Sequence, residues 1–372
     1  MQNKKQDKQK PLFAQIKEIK KSNPQNLMAR YFSEEYFLSL SEVKQNQLKK
    51  IIASGLENPN SQMGIYANET KDYDDFAQYF DLIIKDYHVI APDIKIEQKH
   101  NWDIEETSYN LKKIDEKLAH ISMRVRVGRN LSDFPLPANM IKQQRLELEE
   151  IAINAFKKLM KNKNFGGQYL SLSPNSSFKI NDDEYQNRIN KHQMFKDMSQ
   201  DKYLNVAGIS NDWPFGRGIY ISQNEDFLIW VNEEDHFRIM VMKKNGNLGA
   251  MFKKLNEFID IFSQHLPPFA SSKKYGFLAS CPSNIGTSMR ASLHIKLPLL
   301  TQNGNDLIKL TNEAKKLGLA VRGVGGEHSK AGKDGLVDIS PTARLNISEK
   351  QIMEQLFNGV KTLWHLESVN KS

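Results

Sequence analysis

Several things are scarce in this sequence, and each scarcity removes a class of protein. Its 372 residues include one cysteine, Cys281, which excludes an intrachain disulfide framework and fits a reducing compartment. No run approaches the roughly eighteen apolar residues of a membrane helix. The first residues form no apolar signal core, so a cytoplasmic address is expected rather than secretion. The nine histidines are scattered and have no zinc-type spacing with the lone cysteine. A dinucleotide fingerprint and internal repeats are lacking as well. The stretch from Gly326 to Asp334 looks like a phosphate loop. The Walker pattern, however, would need a glycine at Glu327 and a hydroxyl residue at Asp334. What is present is an ordinary globular composition, 39% hydrophobic and 26% charged, long enough for two domains.

The formal charge is +8, and most of it is local. Residues 1–22 carry seven lysines against Asp7 and Glu18, and read as a basic, flexible leader. Contact with nucleic acid or an anionic surface is the other reading of such a segment. Residues 23–92 alternate short apolar patterns with polar turns, as in Leu48, Ile51, Ile52 and Leu56, which predicts a small helical domain. Residues 93–116 read as a linker, and 117–372 as a larger domain. In the larger domain, helix faces run through Leu148 to Leu159, Leu248 to Phe262 with Asn247 as N-cap, and Leu356 to Trp364 behind a Ser348–Gln351 capping box. Strand-like runs cover Gly218–Ser222, Phe227–Val231, Phe237–Met242, Tyr275–Ala279 and Ala291–Leu297. Strands grouped together with helices outside them predict an α+β fold on an antiparallel sheet.

The candidate chemistry begins with arginines. Period-two alternation puts Arg124 and Arg126 on one face of an extended segment. Arg238 and Arg290 stand in or beside strand-like runs, and Arg322 precedes a glycine-rich loop. Arginine's planar fork matches phosphate oxygens, so together they suggest a clamp for a triphosphate, although each alone reads as an ordinary surface residue. Asn232-Glu233-Glu234-Asp235-His236 lies between two strand-like runs, as a connecting turn. It reads either as a solvated acidic tip or as the carboxylate cluster that a guanidinium and a magnesium ion would both require. A guanidinium has a pKa of roughly 12.5–13.8, so its neutral, nucleophilic form costs about 8 kcal/mol to populate near pH 7. A carboxylate pair that orients the nitrogen and accepts its proton addresses that cost. Cys281, in a turn-rich segment with Ser283 nearby, reads either as an inert buried residue or as a thiolate partner for such a cation.

Together these segments resemble the phosphagen kinases, the family of arginine and creatine kinases. The resemblance is carried by the acidic turn, by Cys281-Pro282-Ser283-Asn284-Ile285-Gly286-Thr287, by the segment from Arg290 to Pro298 and by that from Asp212 to Ile219. It runs from about residue 28 to residue 366. It implies a small helical N-terminal domain and a catalytic domain on an antiparallel sheet flanked by helices. It implies nucleotide across Ser122, Arg124, Arg126, Arg238, Arg290 and Arg322, with His192 and His294 near the adenine. Mg²⁺ would ride mainly on the ATP or ADP phosphates, with Glu233 reaching it through water. Glu234 would be the base candidate, Cys281 would touch the guanidino group, and Glu327 would supply a second carboxylate. Substrate would also meet the loop Ser61, Gln62, Met63, Gly64 and Tyr66.

Gly326-Glu327-His328 and that loop resemble arginine kinases in particular, so L-arginine is the expected substrate. Gln62 and Met63 stand where Gly-Val is usual, Met123 where a Thr is. Asn60 and Lys202 occupy the places of an Asp–Arg pair that often links the domains in arginine kinases. Loop 323–335, with five glycines, is expected to close over bound substrates. The alternatives are a kinase for taurocyamine, lombricine or another guanidine, and a non-catalytic polyanion-binding protein. Binding to nucleic acid is not expected, and the protein is expected to be a monomer or a dimer.

Overall fold

The computed structural model describes residues 2–323 and 332–369. The N-terminal domain is built from α1 (Gln2–Ser22), α2 (Leu27–Tyr31), α3 (Glu34–Ser39), α4 (Glu42–Glu57), α5 (Asp72–Asp75) and α6 (Ala77–Tyr87). Short polar residues start three of them. Asn26, Ser33 and Ser41 each accept a hydrogen bond from a backbone N–H of the first turn.

The leader departs from expectation. Phe13, Ile16 and Ile19 recur at helical spacing along α1 and are buried in one cluster with Phe37, Leu48 and Ile52. An apolar stripe packed on a core holds a helix in place despite the lysines on its other face. The segment expected as a linker is also anchored. Ile96, Ile104 and Leu111 are buried as the chain runs along the larger domain.

That domain continues through β1 (Met123–Arg129), α7 (Lys142–Leu159), β2 (Gly167–Ser171), α8 (Asp182–Asn190) and α9 (Lys202–Val206). Then follow β3 (Gly218–Ser222), β4 (Phe227–Val231), β5 (Phe237–Lys243), α10 (Leu248–Ser263), β6 (Ser271–Ser272), β7 (Gly276–Phe277) and β8 (Met289–Lys296). The last elements are α11 (Ile308–Lys316), β9 (Leu319–Gly323), β10 (Leu336–Pro341) and α12 (Glu349–Val369). Eight strands form one antiparallel sheet in the order β2-β3-β4-β5-β1-β8-β10-β9.

One face of this sheet is apolar. Val125, Val127, Ile239, Val241, Ala291 and Leu293 are buried in a cluster with residues of α7, α10 and α12. The expected caps are in place. Asn247 accepts from Ala250 N at 3.1 Å, and Ser348 and Gln351 exchange hydrogen bonds as a capping box. The run expected as a strand over Tyr275–Ala279 shrinks to β7, paired with β6 outside the main sheet. Gly276 has φ +68° there, and the N–H of Phe277 donates to the carbonyl of Gly286, which turns the chain away from the sheet.

Candidate active site

Strand register gathers the arginines. Arg126 of β1 lies opposite Arg290 of β8, and Gly128 lies opposite Arg238 of β5. Arg322 of β9 lies opposite Asp338 of β10, which in turn lies opposite His294. All of them fall on the face away from the apolar cluster. Like charges placed directly across a ladder destabilise a sheet, so this face favours an anionic ligand. Burial, then Arg238, Arg124, Arg290 and Arg344, hold the guanidinium of Arg126 well below its usual pKa range. Arg290 is brought down to about 10 by burial against the opposing pull of Asp338, which accepts from it at 2.6 Å.

Over this face opens a cavity of about 1320 Å³, lined by Ser122, Arg124, His192, Arg290, His294 and Arg322 among others. That exceeds the usual ligand pocket of about 300–1,000 Å³. Arg126 and Arg238 line a small adjoining cavity with Arg290 and Arg344.

The acidic turn joins β4 to β5 and divides sharply. Asp235 and His236 are buried and structural. Asp235 accepts from the Asn130 amide at 2.7 Å and from Ser280 N at 2.9 Å. His236 accepts from Leu131 N at 2.9 Å and donates to the Pro135 carbonyl at 3.0 Å. Burial lowers its pKa to about 3, so the ring is neutral. Glu233 and Glu234 face the arginines instead, each pairing with Arg238, at 2.8 and 3.0 Å. Burial, outweighing Arg238, pushes the Glu234 carboxyl up to about 7, and its neighbours Glu233 and Asp235 add to the rise. The turn is therefore not a solvated tip.

The turn at Cys281 is gripped one carbonyl after another. Ala67 N donates to Ser280 O, His88 to Pro282 O at 2.9 Å, and Arg344 to Ser283 O at 2.8 Å. Asn284 donates to Glu234 at 3.3 Å, and the Cys281 sulfur lies 3.0 Å from the Ser283 hydroxyl. Of the two readings of Cys281, burial favours the neutral thiol over the thiolate. Burial, then the Glu234 carboxylate, pushes the Cys281 thiol up to about 12 against the lowering effect of its hydrogen bonds with Ser283.

The N-terminal loop reaches the same place. Tyr66 sits where its phenol, raised first by burial, also feels Cys281 and Glu234. Ser61 accepts from Gly64 N, the carbonyl of Gln62 accepts from Leu27 N, and Gly64 takes a positive φ of +73°. Met63 is 6% exposed and belongs to the helical core, whereas Gln62 is exposed. Asn60 and Lys202 are both exposed; α4 meets α9 instead through Ser54 and Asn58, which donate to the carbonyls of Tyr203 and Lys202.

Glu327, and most of loop 323–335 with it, lies outside the described residues. Two side chains escaped the sequence reading. Arg344 follows β10 in a segment without strand or helix periodicity, and His88 caps α6 as one histidine among nine.

As for a metal, no group of three acidic, histidine or cysteine side chains forms a cage among the described residues. Glu233, paired with Arg238 at 2.8 Å, is one of three acids, with Glu234 and Asp338, that border the arginine face.

Known proteins resemble this chain over most of its length. Residues 22–85 match the family described as ATP:guanido phosphotransferase, N-terminal domain, and residues 147–370 its C-terminal catalytic domain. An arginine kinase of Anthopleura japonica is 36% identical over 93% of this chain, which spans 47% of that protein. An arginine kinase of Amphioctopus fangsiao is 35% identical, with 95% of this chain and 97% of the relative covered. Among solved structures, a duplicated taurocyamine kinase from Schistosoma mansoni with transition state analog components superposes with a TM-score of 0.80 at 30% identity. It covers 96% of this chain and 48% of its own. The chain thus spans about half the length of two of these relatives. A lombricine kinase gives a TM-score of 0.80 at 27% identity, covering 93% of this chain and 92% of its own.

Proposed function

This chain belongs to the ATP:guanido phosphotransferase family, the phosphagen kinases, and from that premise we propose that it transfers a phosphoryl group reversibly from MgATP to L-arginine, giving phosphoarginine and ADP. The observation that carries the reading is Glu234, a carboxyl pushed up to about 7 and standing between the arginine face and the Cys281 turn. A base poised near neutral pH suits removal of a guanidino proton as the nitrogen–phosphorus bond forms, a contribution of about 10²–10⁴-fold.

In this reading Arg124, Arg126, Arg238, Arg290 and Arg322 neutralise the phosphates and hold the transferring group in line. Ser122, His192 and His294, which line the same cavity as Arg124, Arg290 and Arg322, would meet the nucleoside. The ion comes with the nucleotide and is held mainly by phosphate oxygens, with Glu233 reaching it through water. Glu234 and Glu327 take the guanidinium from two sides, and Cys281 contacts it from a third. Ser61, Gln62, Met63, Gly64 and Tyr66 address the amino-acid end, Met63 through its backbone because its side chain is buried in the helical core. The single cysteine supports a reducing, cytoplasmic setting.

Arginine is favoured by the Gly326-Glu327-His328 sequence and by curated relatives named arginine kinase at 35–36% identity. The superposition on taurocyamine and lombricine kinases supports a second reading, another free guanidine. A panel of free guanidines assayed with MgATP decides between them. The proposal expects the highest kcat/KM for L-arginine, and a preference for taurocyamine or lombricine would replace it.

A further inference from the structure

We infer that Arg344 is a positioning residue, tying the Cys281 turn to the phosphate-facing side of the sheet. The inference rests on the guanidino-kinase reading of this site and adds a residue to it.

Arg344 has contacts on both sides. Its Nη1 donates to the carbonyl of Ser283 at 2.8 Å. Its own carbonyl accepts from Thr287 N at 2.8 Å and from the Thr287 hydroxyl at 3.1 Å. Gly286, with φ +89°, packs so closely on the Arg344 carbonyl that a Cβ there would collide with it. Arg344 therefore holds the turn by both side chain and backbone. Its guanidinium also lines the small polar cavity shared with Arg126, Arg238 and Arg290.

The residue it grips is the informative part. Ser283 lies between Cys281, whose sulfur meets the Ser283 hydroxyl, and Asn284, whose amide donates to Glu234. A displacement of the Ser283 carbonyl moves the thiol and the amide together, both of which face the base candidate. Misplacing reacting groups by about 1 Å can cost about 10²-fold in rate. Arginine suits the task because its rigid fork keeps one N–H on the Ser283 carbonyl in a side chain that also borders the small cavity. A lysine ammonium keeps the charge but not that geometry.

The test uses Arg344→Lys and Arg344→Met in the full chain. Three quantities are measured for each: kcat, the KM for both substrates, and the rate at which iodoacetamide alkylates Cys281 without substrates. Positioning predicts that both variants lose about 10- to 100-fold in kcat while the KM for MgATP stays within about threefold. It also predicts that both alkylate faster than wild type. A Lys variant with wild-type kcat, beside a Met variant with only a raised nucleotide KM, would make Arg344 a phosphate cation and overturn the inference. Lowered thermal stability with unchanged kcat and unchanged alkylation would reduce it to a structural residue and overturn it equally. Alkylation is read without turnover, so it fails separately from the arginine-kinase reading, which the wild-type assay alone decides.

Discussion

The central sheet has two faces made from the same strands. On β1, Val125 and Val127 point one way and Arg124 and Arg126 the other. The valine face is buried against three helices, and each such side chain contributes about 1.5–3 kcal/mol relative to exposure. The arginine face sets Arg126 opposite Arg290 and crowds cations that burial and mutual repulsion both disfavour. A sheet selected for stability alone would not be built so. One face supplies the stability that the other gives up; Glu233, Glu234 and Asp338 offset part of the crowding, and a bound polyanion would offset more.

The largest expected break in this comparison is Glu234→Gln. The loss of a base should lower kcat by about 10²–10⁴-fold. Stability should move the other way. The carboxyl goes from an ordinary 4.5 to about 7 in the folded protein, so the native state holds this proton more tightly than the unfolded chain. The stability linked to that proton is complete below 4.5 and is lost as pH rises through 7. A neutral glutamine should therefore raise Tm at pH 8 and leave it nearly unchanged at pH 4. Thermal unfolding at the two pH values checks the sign; a lower Tm at pH 8 would contradict it.

Ile239→Ala breaks the opposite face. It should cost about 2–5 kcal/mol of unfolding free energy, read by denaturant titration, with kcat per folded molecule unchanged. A large fall in kcat at full folding would mean that the faces are not separable. Arg126→Ala should weaken kcat/KM for MgATP by about 1.5–3 kcal/mol, the worth of a charged hydrogen bond, without lowering Tm in dilute buffer. The smallest effect is ionic. Salt should raise the Tm of the nucleotide-free wild type by less than about 1 kcal/mol equivalent, and Arg126→Ala should lose most of that gain.

The sequence carried much of this arrangement, for identifiable reasons. Alternation in β1 revealed the arginine face because period two survives any tertiary context. Asn247 and the Ser348–Gln351 box were readable because capping is local. The acidic turn was less so. Glu233 and Glu234 face the arginines while Asp235 turns inward because an amide from Asn130, far along the chain, reaches Asp235. The α1 helix was obscured by its lysines, although Phe13, Ile16 and Ile19 held the signal. Arg344 gave none, since its meaning lies in a carbonyl 61 positions away.

The most direct test follows the phosphorus itself. ³¹P NMR of the wild type with MgATP and L-arginine should show a phosphoarginine resonance growing with ADP, reversed by adding phosphoarginine and MgADP, and nearly abolished in Glu234→Gln. Release of inorganic phosphate without any phosphoarginine, or phosphoarginine formed as fast by Glu234→Gln, would contradict the account.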